Sequence, residues 1–380
     1  MKVIHTADWH LGRVLHNQSL LADQTYILNQ LIDYVIEHKV DVVLISGDVY
    51  DRSMPPAEAV ALLDDVINRL SELGVVVVMI SGNHDGPERL RFAFRQLKAT
   101  GVHIMGDLSR IAEAVTLEKN GVTVNFYGIP YADPEKTRDA YDTEVKTFDE
   151  AHTFLVEQIS LRMDQSANNV LLSHCFVDGA TTSDSEKTLS IGGSDRVSFE
   201  PMLDFDYVAL GHLHSPQRRG ADHIRYSGSL LKYSFSEHQQ NKGVTLLEFD
   251  PSGLVNFEHL TLMPLREVRV IEGLLEEVIE LGKSDAANQD YVMVSLTDKT
   301  ALLDPMGKLR VVYPNILHLE KVMLSQALGK SPDRAALKRG ESEMIHDFYQ
   351  QVTGEEMSGA QNKIMAKTLT KLLAEQETGA

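Results

Sequence analysis

Five short apolar runs in this chain each end in residues able to hold a metal ion, and no other feature restricts the fold as strongly. Asp8-Trp9-His10 follows the run 2–6, Gly47-Asp48 follows 40–46 and Gly82-Asn83-His84-Asp85 follows 75–80. His174 follows 170–173, and Gly211-His212-Leu213-His214 follows 206–210. Apolar runs of this length, bounded by turn residues, read as buried strands. Helical patterns at 22–39 and 56–73 separate the first three. In the second of these, Pro55 and Pro56 open the helix, Val60, Leu63, Ile67 and Leu70 form one face, and Gly74 closes it. Further strands are expected at 122–128, 224–226 and 243–249. Alternating strand and helix predicts an α/β core with sheets covered by helices. In open α/β sheets the carboxyl edge of the strands is where sites are built, so donors distant in sequence are predicted to converge.

The donor types suit one task. Carboxylate and amide oxygens with imidazoles make a mixed site for manganese, iron, zinc or a similar divalent ion. With one cysteine, Cys175, there is neither a thiolate cluster nor an intramolecular disulfide. Asp8, His10, Asp48, Asn83, His174, His212 and His214 are too many donors for one ion with open positions. They suit two ions sharing one carboxylate, an arrangement that favours in-line attack at phosphorus. Such a set of desolvated polar groups would be costly to bring together without a cation. His5 and the other histidines outside these motifs read as structural.

A length of 380 residues predicts two domains and an appendage. The longest apolar run, 74–80, is far short of the ~20 residues that span a bilayer. The start, MKVIHTADWHLG, lacks a secretory pattern, so no membrane partner and a cytoplasmic location are expected. The formal net charge of −19 argues weakly against nucleic acid, since a local basic patch, a bound metal or a basic partner can overcome it. The segment 176–199 is Ser, Thr, Asp and Gly rich and too long for a plain connector.

A boundary is expected near residue 265. Beyond it, strands at 266–271 and 291–296, a helix at 273–281 and a polar connector at 284–290 form a small separate unit. A polar break at 329–341 leads to two helices, marked by Met344, Ile345, Phe348, Tyr349 and Val352 and then by Ile364, Met365, Leu369, Leu372 and Leu373. The expected domains are 1–265, 266–338 and 339–380.

The motifs DxH, GDxxD, GNHD, a lone histidine and GHxH, in that order over residues 8–214, resemble the calcineurin-like metallophosphoesterase superfamily. More narrowly, HTADWHLGR, SGDVYDR, GNHDGPERL, SDSEKTLSIGGSDRV, GHLHSPQ and RYSGSLLKYSFSE resemble the SbcD family, nuclease subunits of SbcCD DNA-repair complexes. The resemblance implies a metallophosphoesterase β-sandwich flanked by helices, with a small α/β capping domain and C-terminal helices. It implies two divalent ions, most often manganese. One would be held by Asp8, His10 and His214 and the other by Asn83, His174 and His212, with Asp48 bridging.

By the same resemblance His84 acts on the reacting phosphate, and Asp85 orients His84 or caps the following helix. Asp51 stands where archaeal and eukaryotic relatives carry a histidine, and is expected to support the site rather than to catalyse. Arg13 and Arg89, with Arg91, Arg95, Lys98, Arg218, Arg219 and Arg225, are candidates for DNA phosphates. The family acts as an exonuclease on duplex ends and an endonuclease on single strands and hairpins. It forms a homodimer within a heterotetramer whose ATPase, SbcC, docks on the C-terminal helices. The metal motifs alone are also compatible with a phosphatase, a cyclic-nucleotide phosphodiesterase or a non-catalytic scaffold for an ATPase.

Overall fold

The computed structural model describes residues 1–186, 195–300, 302–321 and 356–378, and residues 342, 345, 346, 349 and 350 besides. The chain divides into two compact units, Met1–Val268 and Arg269–Ala380.

In the first unit two six-stranded sheets pack face to face. The first runs Gly253–Thr261, Gly243–Asp250, Lys2–Thr6, Val42–Ser46, Val76–Ile80 and Val102–Met105. Its last four strands are parallel, and Gly243–Asp250 lies antiparallel to Lys2–Thr6. The second runs Gln217–Arg219, Ala221–Tyr226, Tyr207–Gly211, Asn168–His174, Val122–Ile129 and Val115–Lys119, with the four inner strands parallel. Successive side chains of a strand point to opposite faces. Val3, Leu44, Val78, Phe126, Leu172 and Tyr207 therefore meet between the sheets. Leu171, Val208 and Leu210 turn outward and pack against Leu155, Val156 and Ile159 of the helix Phe148–Ser160. That helix begins in a reciprocal Thr147–Glu150 capping box.

On the first sheet's side lie the helices Leu21–His38, which buries Ile27, Leu28, Leu31 and Val35, and Ala57–Glu72. The second helix departs from the expected face. It buries Ala59, Leu63, Val66 and Leu70, while Val60 is 45% exposed. The small Ala59 side chain and Pro56 lie against Gly12, where a bulkier residue would not fit. The residues after GNHD also differ from expectation. One helix there is replaced by two short ones, Pro87–Leu90 and Phe94–Lys98, separated by Ala93 in the left-handed region (φ 58°). In the segment 176–199, Phe176–Val177 pairs in parallel with Arg196–Val197, and 187–194 lie outside the described residues.

The second unit holds the sheet Val268–Gly273, Tyr291–Leu296 and Ile316–Lys321 with helices Leu275–Ser284 and Pro305–Val312. Val278, Val292, Val294, Leu309 and Tyr313 form its core. The expected break at 329–341 and most of the first expected terminal helix lie outside the described residues, and the second is the helix Gly359–Thr378. Among the described residues no helix is long and apolar enough to cross a membrane.

Candidate metal centre

The parallel register brings the five strand ends to one edge. Ser46 pairs with Ile80, and Gly211 pairs with His174, so the residues that follow emerge side by side. The first loop is laid along the second by backbone bonds: Asp8 N–H to the Gly47 carbonyl (3.1 Å), His10 N–H to that of Asp48 (2.9 Å) and Leu11 N–H to that of Val49 (2.9 Å). The buried Gln24 amide holds the same loop, donating to the Trp9 and His10 carbonyls (3.1 and 2.7 Å) and accepting from Gly12 N–H (3.0 Å).

Glycines make room for the site. A Cβ on Gly47 would stand 2.3 Å from His174 Nδ1, and one on Gly211 would stand 1.9 Å from the Ser46 carbonyl oxygen. Asp8, His10, Asp48 and His212 all have positive φ (54°, 45°, 49° and 103°). Such backbone is held against a local cost and clusters at functional sites.

All seven expected donors come together. The His10 and His214 Nε2 atoms face each other at 3.0 Å, with Asp8, buried to 0% exposure, close enough to share an ion with both. The Asn83 side-chain oxygen lies 3.0 Å from His174 Nε2 and 2.9 Å from His212 Nδ1. Asp48 lies between the two groups, its Oδ2 3.5 Å from both His10 Nε2 and His174 Nε2 and its Oδ1 accepting from the His84 amide (2.8 Å). Asp8 Oδ1 accepts from the His212 amide (2.9 Å), while Asp8 Oδ2 is buried with no hydrogen-bond partner. An orphaned carboxylate oxygen beside two opposed imidazole nitrogens suits a cation, and the oxygen and nitrogen donor set suits a divalent one.

The electrostatics agree. Burial pushes the Asp8 carboxyl up to about 7, against the pull of His174 and His214. Burial likewise takes His212 down to about 3 and His10 well below its ordinary value. Burial would raise Asp48, but the neighbouring His174, His10 and His84 hold it well below the carboxylate range. Burial opposes the charge on His174, yet Asp48 and Asp8 together raise it to about 9. A proton there supplies positive charge that an ion would otherwise bring.

His84 lies beside the donors, its ring edge-to-face with His10 at 4.6 Å, and its Nδ1 donates to the Asp51 carbonyl (2.7 Å). The Asp51 carboxylate accepts from Arg13 (2.8 Å) and lies 3.6 Å from His10 Nδ1. Asp85 does not cap the helix that follows it. Its buried carboxylate accepts from the amides of Val49 (3.1 Å), Tyr50 (2.9 Å) and Gly82 (2.9 Å), tying two strand-end loops together. The helix after it is capped by Gly86, without a side-chain bond.

Arg89 lies on the short helix Pro87–Leu90 and is exposed. Most other candidate DNA contacts are engaged locally. Arg91 pairs with Asp107 (3.2 Å), Arg218 with Asp222, Arg219 donates to the Asp178 carbonyl (2.9 Å), and Arg225 stacks on Phe257. His5 is structural as expected, bonded to the Tyr207 hydroxyl and the Leu210 carbonyl.

Sequence reasoning missed a group behind His214, made by the buried Ser185, Glu237 and Lys242 and the half-buried Glu186. The only signal in the sequence is two glutamates and a lysine in polar, partly serine-rich stretches. Nothing in their spacing ties them to His214.

The family model described as calcineurin-like phosphoesterase matches residues 1–216, and one described as type 5 capsule protein repressor C-terminal domain matches 264–353. The D subunit of the nuclease SbcCD from Staphylococcus epidermidis is 36% identical over 375 residues, which cover 98% of this chain and 99% of that one. Solved structures are more remote. A dimetal phosphatase from Danio rerio is 13% identical with a TM-score of 0.43, covering 69% of this chain and 99% of that one. The protein TT1561 of Thermus thermophilus is 12% identical with a TM-score of 0.39, covering 68% and 98%.

Proposed function

The chain belongs to the calcineurin-like phosphoesterases and, among them, to the SbcD family, and from that premise we propose that it is a two-metal DNA nuclease. The observation that carries this reading is the buried, partnerless Asp8 Oδ2 beside the opposed Nε2 atoms of His10 and His214. Asp8, His10 and His214 would hold one ion and Asn83, His174 and His212 the other, with Asp48 placed between the two groups. The ions are manganese in the working enzyme. When bound they supply Lewis-acid polarisation of the phosphodiester and activation of water.

His84 is the catalytic side chain of this proposal. Its Nδ1 proton is committed to the Asp51 carbonyl, so Nε2 is the atom that meets the phosphate. From there, as an imidazolium carrying its second proton on Nε2, it would stabilise developing charge or give that proton to the leaving oxygen, returning to the neutral Nδ1–H form. Asp51 positions His84 through its carbonyl and fixes Arg13 through its carboxylate. Asp85 keeps the loops that carry Asp48 and Asn83 at a constant separation. Arg89 is an exposed cation available to a DNA phosphate.

The substrates are duplex ends, cleaved exonucleolytically, and single strands and hairpins, cleaved endonucleolytically. Residues 1–265 form the nuclease domain, 266–338 a capping domain and 339–380 the helices that dock on an SbcC-type ATPase, in a heterotetramer built on a homodimer. The Staphylococcus relative, named as one subunit of SbcCD, supports the partnership.

The test is to incubate the chain and its His84→Ala variant with end-labelled linear DNA, manganese and a chelator control. The expected result is metal-dependent degradation that falls by about 10²–10⁴-fold in the variant, the range for loss of a general acid or base. Equal activity in both would remove His84 from the reaction. Preference for p-nitrophenyl phosphate over DNA would make the enzyme a phosphomonoesterase.

A further inference from the structure

His214 differs from His174 and His212 in what stands behind it. His174 turns Nδ1 to a backbone carbonyl, that of Ser46 (2.8 Å). His212 uses its own Nδ1 toward Asn83 (2.9 Å). Behind His214 stands a charged relay. Its Nδ1 is 2.6 Å from the Ser185 hydroxyl oxygen, and that hydroxyl donates to Glu237 Oε1, itself 3.5 Å from Nδ1. Glu237 Oε2 is paired with Lys242 Nζ at 2.6 Å, and Lys242 also donates to the His214 carbonyl (2.7 Å). Ser185 is 7% exposed, Glu237 0% and Lys242 5%.

We propose that Ser185 and Glu237 are positioning residues for His214, a hydroxyl-bridged carboxylate that fixes its tautomer and makes Nε2 the metal-binding atom. The proposal rests on the two-ion reading above. The direction of the bonds follows from chemistry. A carboxylate only accepts, so the Ser185 O–H points to Glu237, and the serine oxygen accepts from His214 Nδ1–H. A neutral imidazole protonated at Nδ1 carries its lone pair at Nε2, the atom that faces His10 at 3.0 Å. A carboxylate behind a ligand imidazole fixes its orientation and raises its basicity, and removing such a partner typically weakens metal binding 10–100-fold. Lys242 lets Glu237 remain charged in a buried place.

The relay also links a surface segment to the metal centre. The residue after Ser185, Glu186, accepts the His214 amide (2.7 Å), and Arg13 donates to the Ser185 carbonyl (3.2 Å). Placement of 183–186 and orientation of His214 are therefore one event.

The experiment titrates cobalt(II) into the metal-free full-length chain, following the visible absorption of the ion and counting bound metal by elemental analysis. The wild type takes two ions. Ser185→Ala should keep one affinity and weaken the other about 10–100-fold, with a changed absorption spectrum for that ion. Ser185→Thr, which restores the hydroxyl, should recover it, whereas a merely structural role would not be rescued by oxygen alone. Glu237→Gln, which keeps the shape and removes the charge, should weaken the same ion. Unchanged affinities in Ser185→Ala and Glu237→Gln, with two ions in the wild type, would overturn the relay and leave the two-ion reading standing. Fewer than two ions in the wild type would overturn both.

Discussion

Single residues at the strand ends are chosen for the site rather than for local stability. Gly82 shows how little room is left. A Cβ there would stand 2.1 Å from Asp48 Oδ1 and 2.4 Å from the Asp48 backbone nitrogen. A side-chain tip can swing away, but backbone cannot. Gly82→Ala should therefore lower stability by about 1–3 kcal/mol, the usual cost of overpacking, and weaken both ions together because Asp48 reaches both. Urea denaturation and metal titration of the variant check the two effects, and unchanged affinity for both ions would contradict the role given to Asp48. The donors themselves were legible in the sequence because each follows an apolar run directly, so one fold rule placed all seven. Ser185, Glu186, Glu237 and Lys242 were not legible. Their meeting with His214 depends on tertiary contacts across loops, and a buried glutamate and an exposed one look alike in a sequence.

At the scale of elements the site is a set of loops kept in step by shared bonds. Asp85 is the clearest of these ties, since one carboxylate satisfies three amides from the loops after Val42–Ser46 and Val76–Ile80. Asp85→Asn puts an NH₂ where one of those amides donates, and a buried group left unsatisfied costs about 1–3 kcal/mol. Equilibrium denaturation should show that loss, and a stability equal to the wild type would mean that the clamp is dispensable. The central strands were legible as apolar runs. The strands Val102–Met105, Val115–Lys119 and Gly253–Thr261 were missed because they lie at or near sheet edges and carry mixed, half-exposed patterns. The break at Ala93 was missed because a left-handed alanine leaves no mark in the sequence. In the second unit Pro305–Val312 and Ile316–Lys321 escaped for a related reason, as a two-turn helix and a strand of alternating polarity give weak periodicity.

For the whole molecule the net charge of −19 sets the terms on which a polyanion is met. Several arginines that could neutralise phosphates are already matched by carboxylates, Arg13 by Asp51, Arg91 by Asp107 and Arg218 by Asp222. On this account the positive charge that receives a phosphodiester comes mainly from the metal centre, which makes the number of ions the decisive quantity. The most direct measurement is equilibrium dialysis of the purified chain against manganese, with Asp48→Ala beside it. Two ions per wild-type chain are expected, with the loss of tight binding at both positions in the variant. One ion or none in the wild type, or two in the variant with unaltered affinity, would contradict that expectation.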